Sequence, residues 1–266
     1  MSERRIDLRG MPLPSKWRPI PREPIGAEPP FCSTDLRLQI LHGLPFFAGL
    51  NQTEIAAINP LFHERGHTPG ETIYAAGDPA GRLYVVATGK VKILRHTLAG
   101  KDVLLDLLAP GEFFGALSPL PGEEYPDTAV AQTVVCALGI SSEDFRRVLD
   151  RFPPVALKVL DISQARLGDA QEMVRRLSAS TAEQRVAYAL LKLGGKLGAQ
   201  TREGLLIQAP LSRSDLAEMA GLTTETASRV MSQLQRDGLI RSGRQWVALT
   251  DLARLRRLAE GESPGR

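Results

Sequence analysis

The chain has 266 residues, of which 43% are hydrophobic and 24% are charged, and its formal net charge is +3. These values are typical of a soluble globular protein of two domains, and no apolar run reaches the roughly 18 to 20 residues that would span a bilayer. They exclude an integral membrane protein. The small net charge does not by itself identify a nucleic-acid partner, although residues 180–266 hold 13 Lys and Arg against 9 Asp and Glu.

Residues 1–33 contain seven prolines and mixed charges without a hydrophobic period. Such a segment cannot bury enough apolar surface to form a core, so we predict a disordered, proline-rich tail that is either a spacer or a contact arm. No apolar segment follows its early arginines, so we expect no secretory signal and no membrane partner, and we place the protein in the cytoplasm. Cys32 and Cys136 lie far apart in the sequence, and we expect both to be free thiols in that compartment.

Residues 35–62 show the helical spacing of apolar side chains, and Asn51 and Glu54 have the separation of a capping box. Short strand-like runs then alternate with glycine turns, at positions 70, 77, 81, 89, 100, 111 and 115. This pattern predicts a small all-β roll that encloses a pocket, and we assign residues 34–150 to this sensor domain.

His63 and His67 are four residues apart, a spacing that would place both on one face of a helix. We expect the helix to end near Gly66, and we therefore interpret both residues as surface or hydrogen-bonded histidines. No metal site is predicted, and haem stays an alternative.

We predict one long helix over residues 151–179, since Pro153 and Pro154 are tolerated at its first positions. Its apolar residues repeat every seven positions, as they do along a coiled-coil seam between two copies of a chain. The predicted dimer interface consists of Leu160, Leu167, Ala170, Val174 and Leu177. The alternative is an ordinary amphipathic helix in a monomer.

Residues 180–266 predict a helix, a short strand, two further helices, a hairpin that turns at Gly243, and a closing helix. Ser212 can cap the first of the two further helices, Gly221 can end it in the left-handed conformation, and Thr223 can cap the second. Two helices joined by such a turn form a helix-turn-helix, and the following hairpin makes it winged.

The second of these helices has an apolar inner face and a polar outer face. The outer face carries Glu225, Ser228, Arg229, Ser232 and Arg236. One interpretation is a solvated surface with an ion pair between Glu225 and Arg229. The other, which the surrounding winged unit favours, is a recognition helix that reads base edges in the major groove of double-stranded DNA.

With these motifs the sequence resembles the Crp/Fnr family of bacterial transcription regulators over about residues 36–258. The roll motifs read "PGETIYAAGDPAGRLYVVATGKVKIL" and "LAPGEFFG", and the DNA-binding motif reads "LSRSDLAEMAGLTTETASRVMSQLQRDGLI". The resemblance implies an α+β fold, with an N-terminal jelly roll like that of cyclic-nucleotide-binding domains, a dimerisation helix and a C-terminal winged helix-turn-helix. It also implies a homodimer that recruits or blocks RNA polymerase.

The E-x-x-S-R order of Glu225, Ser228 and Arg229 is similar to the Fnr branch of the family, which implies a palindrome of the form TTGAT-N4-ATCAA. In that palindrome Arg229 would bond guanine, Glu225 would bond the paired cytosine, and Ser228 would lie near thymine. The candidates for contacts to DNA phosphates are Arg213, Thr223, Thr226 and Arg244.

The same resemblance argues against the usual effector of the members that bind cyclic AMP. Those members place a Glu for the ribose and an Arg–Ser pair for the phosphate where this chain has Ala116, Pro126 and Asp127. A carboxylate without a guanidinium would repel a phosphate. The predicted effector pocket consists of Gly115, Ala116, Leu117, Asp127 and Thr128.

The cofactor and the effector follow less directly from the sequence. An iron–sulfur cluster of the Fnr kind needs four cysteine ligands and the chain has two cysteines, so no cofactor is predicted. An unidentified small molecule in the roll and control without any effector both stay open.

Two other classes of protein compete with a DNA-binding regulator. A roll enzyme of the cupin type would need converging histidines, usually in an HxH pair, and the four histidines of this chain form none, so we expect no enzyme. A ligand-, redox- or gas-sensing signalling module whose main output is not DNA binding would not need the winged unit. The sequence does not choose between an activator and a repressor.

Overall fold

The computed structural model describes residues 32–97, 102–116 and 123–261. The helices are α1 (Thr34–Gly43), α2 (Gln52–Ile58), α3 (Ser142–Arg151), α4 (Pro153–Ala179), α5 (Ala182–Leu197), α6 (Arg213–Ala220), α7 (Thr224–Arg236) and α8 (Leu252–Glu260). The strands are β1 (His63–His67), β2 (Thr72–Tyr74), β3 (Arg82–Thr88), β4 (Val91–His96), β5 (Asp102–Leu108), β6 (Phe113–Gly115), β7 (Thr128–Ala131), β8 (Val135–Ser141), β9 (Gly198–Thr201), β10 (Gly204–Gln208), β11 (Ile240–Gly243) and β12 (Trp246–Leu249). The predicted α+β order of roll, long helix and winged unit is confirmed.

The chain enters the described region at Cys32 and Ser33. Residues 1–31 of the predicted tail lie outside that region, whereas Cys32 is buried and the Ser33 side chain caps α1. The predicted capping box is present at the start of α2, where the Asn51 side chain accepts from the Glu54 N–H and the Glu54 carboxylate accepts from the Asn51 N–H. These caps satisfy backbone groups that a helix start leaves without partners.

The expectation that a helix continues to near Gly66 is wrong. Helix α2 ends at Ile58, because Pro60 has no N–H with which to extend an α-helix, and one 3₁₀ turn follows at Asn59–Leu61. Gly66 lies within β1, where it is paired with Cys136 of β8. His63 and His67 therefore lie on a strand rather than on a helix.

Two four-stranded antiparallel sheets, in the orders β1-β8-β3-β6 and β2-β7-β4-β5, form the roll. Side chains alternate along the strands, so that Val135 and Ala137 of β8 pack between the two sheets while Cys136 and Leu138 pack against α1, α3 and α4. The sheet that contains β8 is therefore buried on both faces.

The fold brings the two cysteines together. Cys32 and Cys136 are 104 residues apart in the sequence, yet their Cα atoms lie 6.5 Å apart and the two side chains form a disulfide. The expectation of two free thiols is therefore wrong for this structure. Cys32 joins the same apolar cluster as β8, a neighbourhood that sequence spacing cannot reveal.

The C-terminal unit has its own core. Its sheet has the order β11-β12-β10-β9, and α5, α6, α7 and α8 contribute buried side chains to one cluster with it. Helix α4 joins this unit to the roll, and Val155 near its start is buried against the roll. Within the described residues, no helix is both long enough and apolar enough to cross a membrane.

Candidate DNA-binding surface and effector region

The helix-turn-helix is built by the predicted caps. The Ser212 hydroxyl accepts from the Asp215 N–H at 3.0 Å, and the Asp215 carboxylate accepts from the Ser212 N–H at 2.8 Å. Gly221 ends α6 with φ 61° and ψ 43°, the left-handed conformation that glycine adopts without a steric cost. Thr223 then caps α7, since its hydroxyl accepts from the Thr226 N–H at 3.2 Å. The turn thus holds α7 at a defined angle to α6.

Helix α7 buries one face and presents the other. Ala227, Val230, Met231 and Leu234 are buried in the core of the unit. On the opposite face Glu225 and Arg229 are exposed and Ser228 is half-buried. In the described part of the chain no ion pair joins Glu225 to Arg229, so the simpler interpretation of this face, a surface with that ion pair, has no support.

The predicted phosphate-binding residues are in different surroundings. Arg244 is exposed in the turn between β11 and β12. The hydroxyls of Thr223 and Thr226 lie 2.9 Å apart and are hydrogen-bonded to each other. Arg213 is half-buried, and burial lowers the pKa of its guanidinium. Arg213 and Arg244 both line a crevice of about 320 Å³ between the start of α6 and the wing.

Arg213 also contributes to the internal structure of the winged unit. Its Nη2 donates to the Ser242 hydroxyl of β11 at 3.0 Å, and that hydroxyl donates to Oε1 of Gln235 on α7 at 3.2 Å. This chain of hydrogen bonds joins α6, the wing and α7. The sequence did not predict this chain of hydrogen bonds, because Arg213 lies 29 residues before Ser242.

The interior of the roll, next to the predicted effector pocket, contains a cluster of stacked aromatic side chains. Tyr74 stacks on Tyr125 with ring centroids 3.9 Å apart, and Tyr84 stacks on Phe114 at 5.3 Å. Three of the four are buried, and Tyr84 packs against the same cluster. Burial raises the pKa of Tyr125 to about 12, and it raises the pKa of Tyr74 as well.

The predicted pocket residues lie around this aromatic cluster. Gly115 is close enough that a Cβ there would lie 3.6 Å from Tyr125, and Ala116 packs against the cluster. Asp127 accepts from the Tyr74 hydroxyl at 2.8 Å, and the Thr128 hydroxyl accepts from the Ala76 N–H at 3.0 Å. Leu117 lies outside the described residues.

The described residues of the predicted pocket include a carboxyl group, which disfavours a cyclic phosphate. Burial raises the pKa of the Asp127 carboxyl, which indicates that negative charge is disfavoured here even before an anion arrives. A phosphate bound at Asp127 would also have to displace the hydrogen bond from Tyr74. The Asp127 carboxyl and its hydrogen bond from Tyr74 therefore argue against an anionic ligand at this point of the described roll.

The two histidines that were considered as haem ligands differ in their burial. His63 is exposed, whereas His67 is buried and its Nδ1 lies 3.0 Å from Oε1 of Glu71. Burial lowers the pKa of His67, and the hydrogen bond to Glu71 opposes this effect. Among the described residues no cluster of three or more metal-ligating side chains is present.

The predicted dimer interface lies on an exposed stripe of α4. Its large apolar members are 45% to 65% exposed in the single chain, which is unusual for side chains of this size. The stripe consists of Leu157, Leu160, Leu167, Val174 and Leu177. Ala170 is also exposed between them. Leu157 was not predicted, because it lies off the seven-residue repeat.

A second set of residues, also missed from the sequence, anchors α4 to the winged unit. Arg176 is buried near the end of α4, and its Nη1 donates to the Ala259 carbonyl in the last turn of α8 at 2.7 Å. The same guanidinium lies over the Tyr188 ring of α5, 4.0 Å from its centroid. The dipole of α8 stabilises a cation at its carboxyl end, and the face of the Tyr188 ring also attracts a cation. Both contacts of the Arg176 guanidinium are therefore favourable.

A jelly roll joined by one long helix to a winged helix-turn-helix defines a two-domain DNA-binding regulator. Residues 64–152 match the model of the cyclic nucleotide-binding domain, and residues 184–258 match that of the Crp-like helix-turn-helix domain. The chain is 36% identical over 221 residues to the cyclic AMP receptor protein of Thermus thermophilus, which covers 83% of this chain and 99% of that protein. The chain belongs to the Crp/Fnr family of transcription regulators.

Other relatives agree with this assignment. The transcriptional activator protein FnrA of Stutzerimonas stutzeri is 30% identical over 225 residues, covering 83% of this chain and 91% of that protein. The solved structure of FixK2 from Bradyrhizobium japonicum is similar with a TM-score of 0.66 at 26% identity, covering 77% of this chain and 99% of that one.

Proposed function

We propose that this regulator binds, as a homodimer, a palindrome of the form TTGAT-N4-ATCAA and controls RNA polymerase at promoters. The observation that carries the proposal is the outer face of α7, where the exposed Glu225 and Arg229 side chains are not engaged with each other. A free guanidinium can donate two parallel hydrogen bonds to O6 and N7 of guanine, and a free carboxylate can accept from N4 of cytosine. Ser228 would then lie near thymine.

The residues that would bind the DNA backbone flank this helix. Arg244 on the wing and Arg213 at the start of α6 line one crevice, so one phosphate segment could pass between them. Thr223 and Thr226, at the start of α7, would place hydroxyls and backbone N–H groups next to a phosphate, where the helix dipole favours negative charge. These contacts would position the protein without reading sequence.

Dimerisation is supported by the exposed stripe on α4. Two copies packed along Leu160, Leu167 and Val174 would bury apolar surface that one chain leaves in water. A two-fold dimer presents two α7 helices to DNA, and its symmetry requires an inverted repeat with half-sites about one helical turn apart. The palindrome and the dimer therefore depend on each other.

We further propose that the roll does not bind a cyclic nucleotide in the manner of the family's cyclic-AMP-binding members. The support is the Tyr74–Asp127 hydrogen bond and the stacked rings at the position concerned. The effector is then another small molecule or is absent. A regulator that meets DNA and RNA polymerase in this way works in the cytoplasm.

The test is a mobility-shift titration of Arg229→Ala at a stated salt concentration, on TTGAT-N4-ATCAA and on variants with the guanine replaced. We expect the substitution to weaken binding by about 1 to 3 kcal/mol and to relax the preference at the guanine position. Arg256→Ala on α8 removes another exposed arginine and is the matched control, expected to keep the sequence preference. Unchanged affinity and preference in Arg229→Ala would refute the assignment of α7.

A further inference from the structure

The winged unit is packed against the roll of its own chain. Strand β5 is the edge of the sheet β2-β7-β4-β5, and its Leu104 and Leu107 side chains are buried in one cluster with residues of the C-terminal unit. The side chains that Leu104 and Leu107 join in this cluster come from α5 and α6 and from strands of the C-terminal unit. Leu94 of β4 packs against the same cluster. The surface that β4 and β5 form on this side of the roll is therefore the one on which the winged unit packs, and it is called the seat.

Polar contacts fix the position of the unit on that seat. Lys92 Nζ of β4 lies 2.6 Å from Oδ1 of Asp215 on α6, and the two side chains are only 17% and 8% exposed. Beside this pair, the Gln132 side chain donates to the Pro210 carbonyl at 2.7 Å. Further along β5, Lys196 Nζ of α5 lies 2.7 Å from the Asp106 carboxylate.

The Lys92–Asp215 ion pair differs from the other two contacts because Asp215 is also part of the cap of α6. The other oxygen of the Asp215 carboxylate accepts from the Ser212 N–H and so closes the capping box of α6. One carboxylate therefore joins the roll to the first turn of the helix that orients α7. Because the pair is largely buried, its geometry is more restrictive than that of a surface ion pair, and removing one partner leaves an uncompensated charge.

The covalent connection alone would not fix the unit. Only Ser180 and Thr181 separate α4 from α5, and such a short joint is a point about which a domain can rotate. Arg176 restrains the winged unit by joining α4 to α8, and Lys92 restrains it by joining the roll to α6. In a dimer, the angle of each unit on its own roll sets the distance between the two α7 helices.

We propose that Lys92 is a positioning residue that, through Asp215, determines which half-site spacing the dimer accepts. The Lys92 ammonium is engaged with Asp215, so Lys92 acts by holding α6 and not by contacting DNA. This inference rests on the proposed function, because it requires a dimer that binds an inverted repeat. It adds that the selectivity for spacing is set by an ion pair between the roll and the winged unit.

The test uses the full chain and a series of duplexes in which TTGAT and ATCAA are separated by two to six base pairs. We expect the wild-type protein to prefer one spacing over its neighbours by about tenfold or more, within the range typical of coupled sites. In Lys92→Met, which keeps the aliphatic stem, that ratio should fall to about threefold or less because the winged units can rotate. Lys92→Arg should restore most of the preference.

Lys158→Met is the matched control. Lys158 also forms an ion pair with an aspartate, at 3.3 Å from Asp161 on the exposed side of α4, but lies outside the seat. The Lys158→Met variant should keep the wild-type preference for one half-site spacing. Circular dichroism and sedimentation check that every variant is folded and dimeric, so that altered spacing selectivity is not confused with unfolding.

The possible outcomes are distinct. A folded Lys92→Met dimer with the wild-type spacing preference would overturn this inference and leave the proposed function intact. A wild-type protein that binds none of the palindromes would overturn both. If Lys92→Met does not fold, Gln132→Ala, which removes a neutral contact from the same seat, should lower the spacing preference in the same direction; an unchanged preference in that variant would refute the proposal.

Discussion

Gly221 shows how a single residue shapes the DNA-facing surface. Its left-handed backbone allows α6 to end and α7 to begin within three residues. The position is also close to α4, since a Cβ there would lie 2.8 Å from Cδ2 of Leu177, and the Arg185 guanidinium donates to the Gly221 carbonyl at 3.2 Å. The turn of the helix-turn-helix and the end of α4 therefore meet at this glycine.

Gly221→Ala should destabilise the protein by about 1 to 2 kcal/mol, because a residue with a Cβ is strained in the left-handed region. Gly195→Ala is the matched control, since Gly195 lies within α5 and a Cβ there would meet nothing within 4 Å. It should instead stabilise the protein by about 0.5 to 1 kcal/mol. Urea unfolding of both variants measures the two changes, and equal effects would contradict the role of the turn.

At the scale of elements, α4 has a different role on each of its faces. Val155 packs it on the roll, Arg176 anchors its end to the winged unit, and the stripe around Leu167 is exposed. The exposed stripe is the face for which a single chain provides no cover.

Leu167→Glu should convert the proposed dimer into monomers, because a carboxylate at the centre of the seam would be buried without a partner in each copy. Ala165→Glu places the same side chain on the other side of α4 and should leave the dimer intact. Sedimentation velocity distinguishes the two states. A Leu167→Glu protein that sediments as the wild type does would remove the stripe from the dimer interface.

At the scale of the whole molecule, two long-range features hold the chain together. The Cys32–Cys136 disulfide joins a residue two positions before α1 to strand β8 of the roll, across 104 residues. The seat on β5 joins the roll to the winged unit. The first restrains the start of the described chain, and the second restrains the domain that meets DNA. The arrangement leaves the outer face of α7 exposed.

Reduction of the disulfide should lower the free energy of unfolding by about 2 to 5 kcal/mol, because the open chain gains conformational freedom when it unfolds. The measurement is urea unfolding with and without dithiothreitol, together with a count of reactive thiols in the native protein. Cys32→Ser, which has no disulfide to lose, is the control and should unfold at the same urea concentration under both conditions. Two reactive thiols in the untreated native protein would contradict the bond.

Local sequence determined much of this protein. Caps at Asn51 and Ser212, the left-handed Gly221 and the periodic faces of α7 act over a few residues, so the physical reason for each is visible in the sequence around it. Element types, their order and the class of fold follow from such local rules. The outer face of α7 and the stripe on α4 were predicted in this way, and their proposed partners, DNA and a second copy, lie outside the chain.

Only the tertiary structure decided which distant residues meet. The Cys32–Cys136 bond, the Tyr74–Asp127 hydrogen bond and the Lys92–Asp215 ion pair join segments whose separation along the chain carries no information about their distance in space. The helix expected up to Gly66 was wrong for a related reason: pairing with β8 satisfies the backbone of β1, and that strand lies about 70 residues away. Contacts of this kind are set by the packing of the whole chain and not by the sequence around each residue.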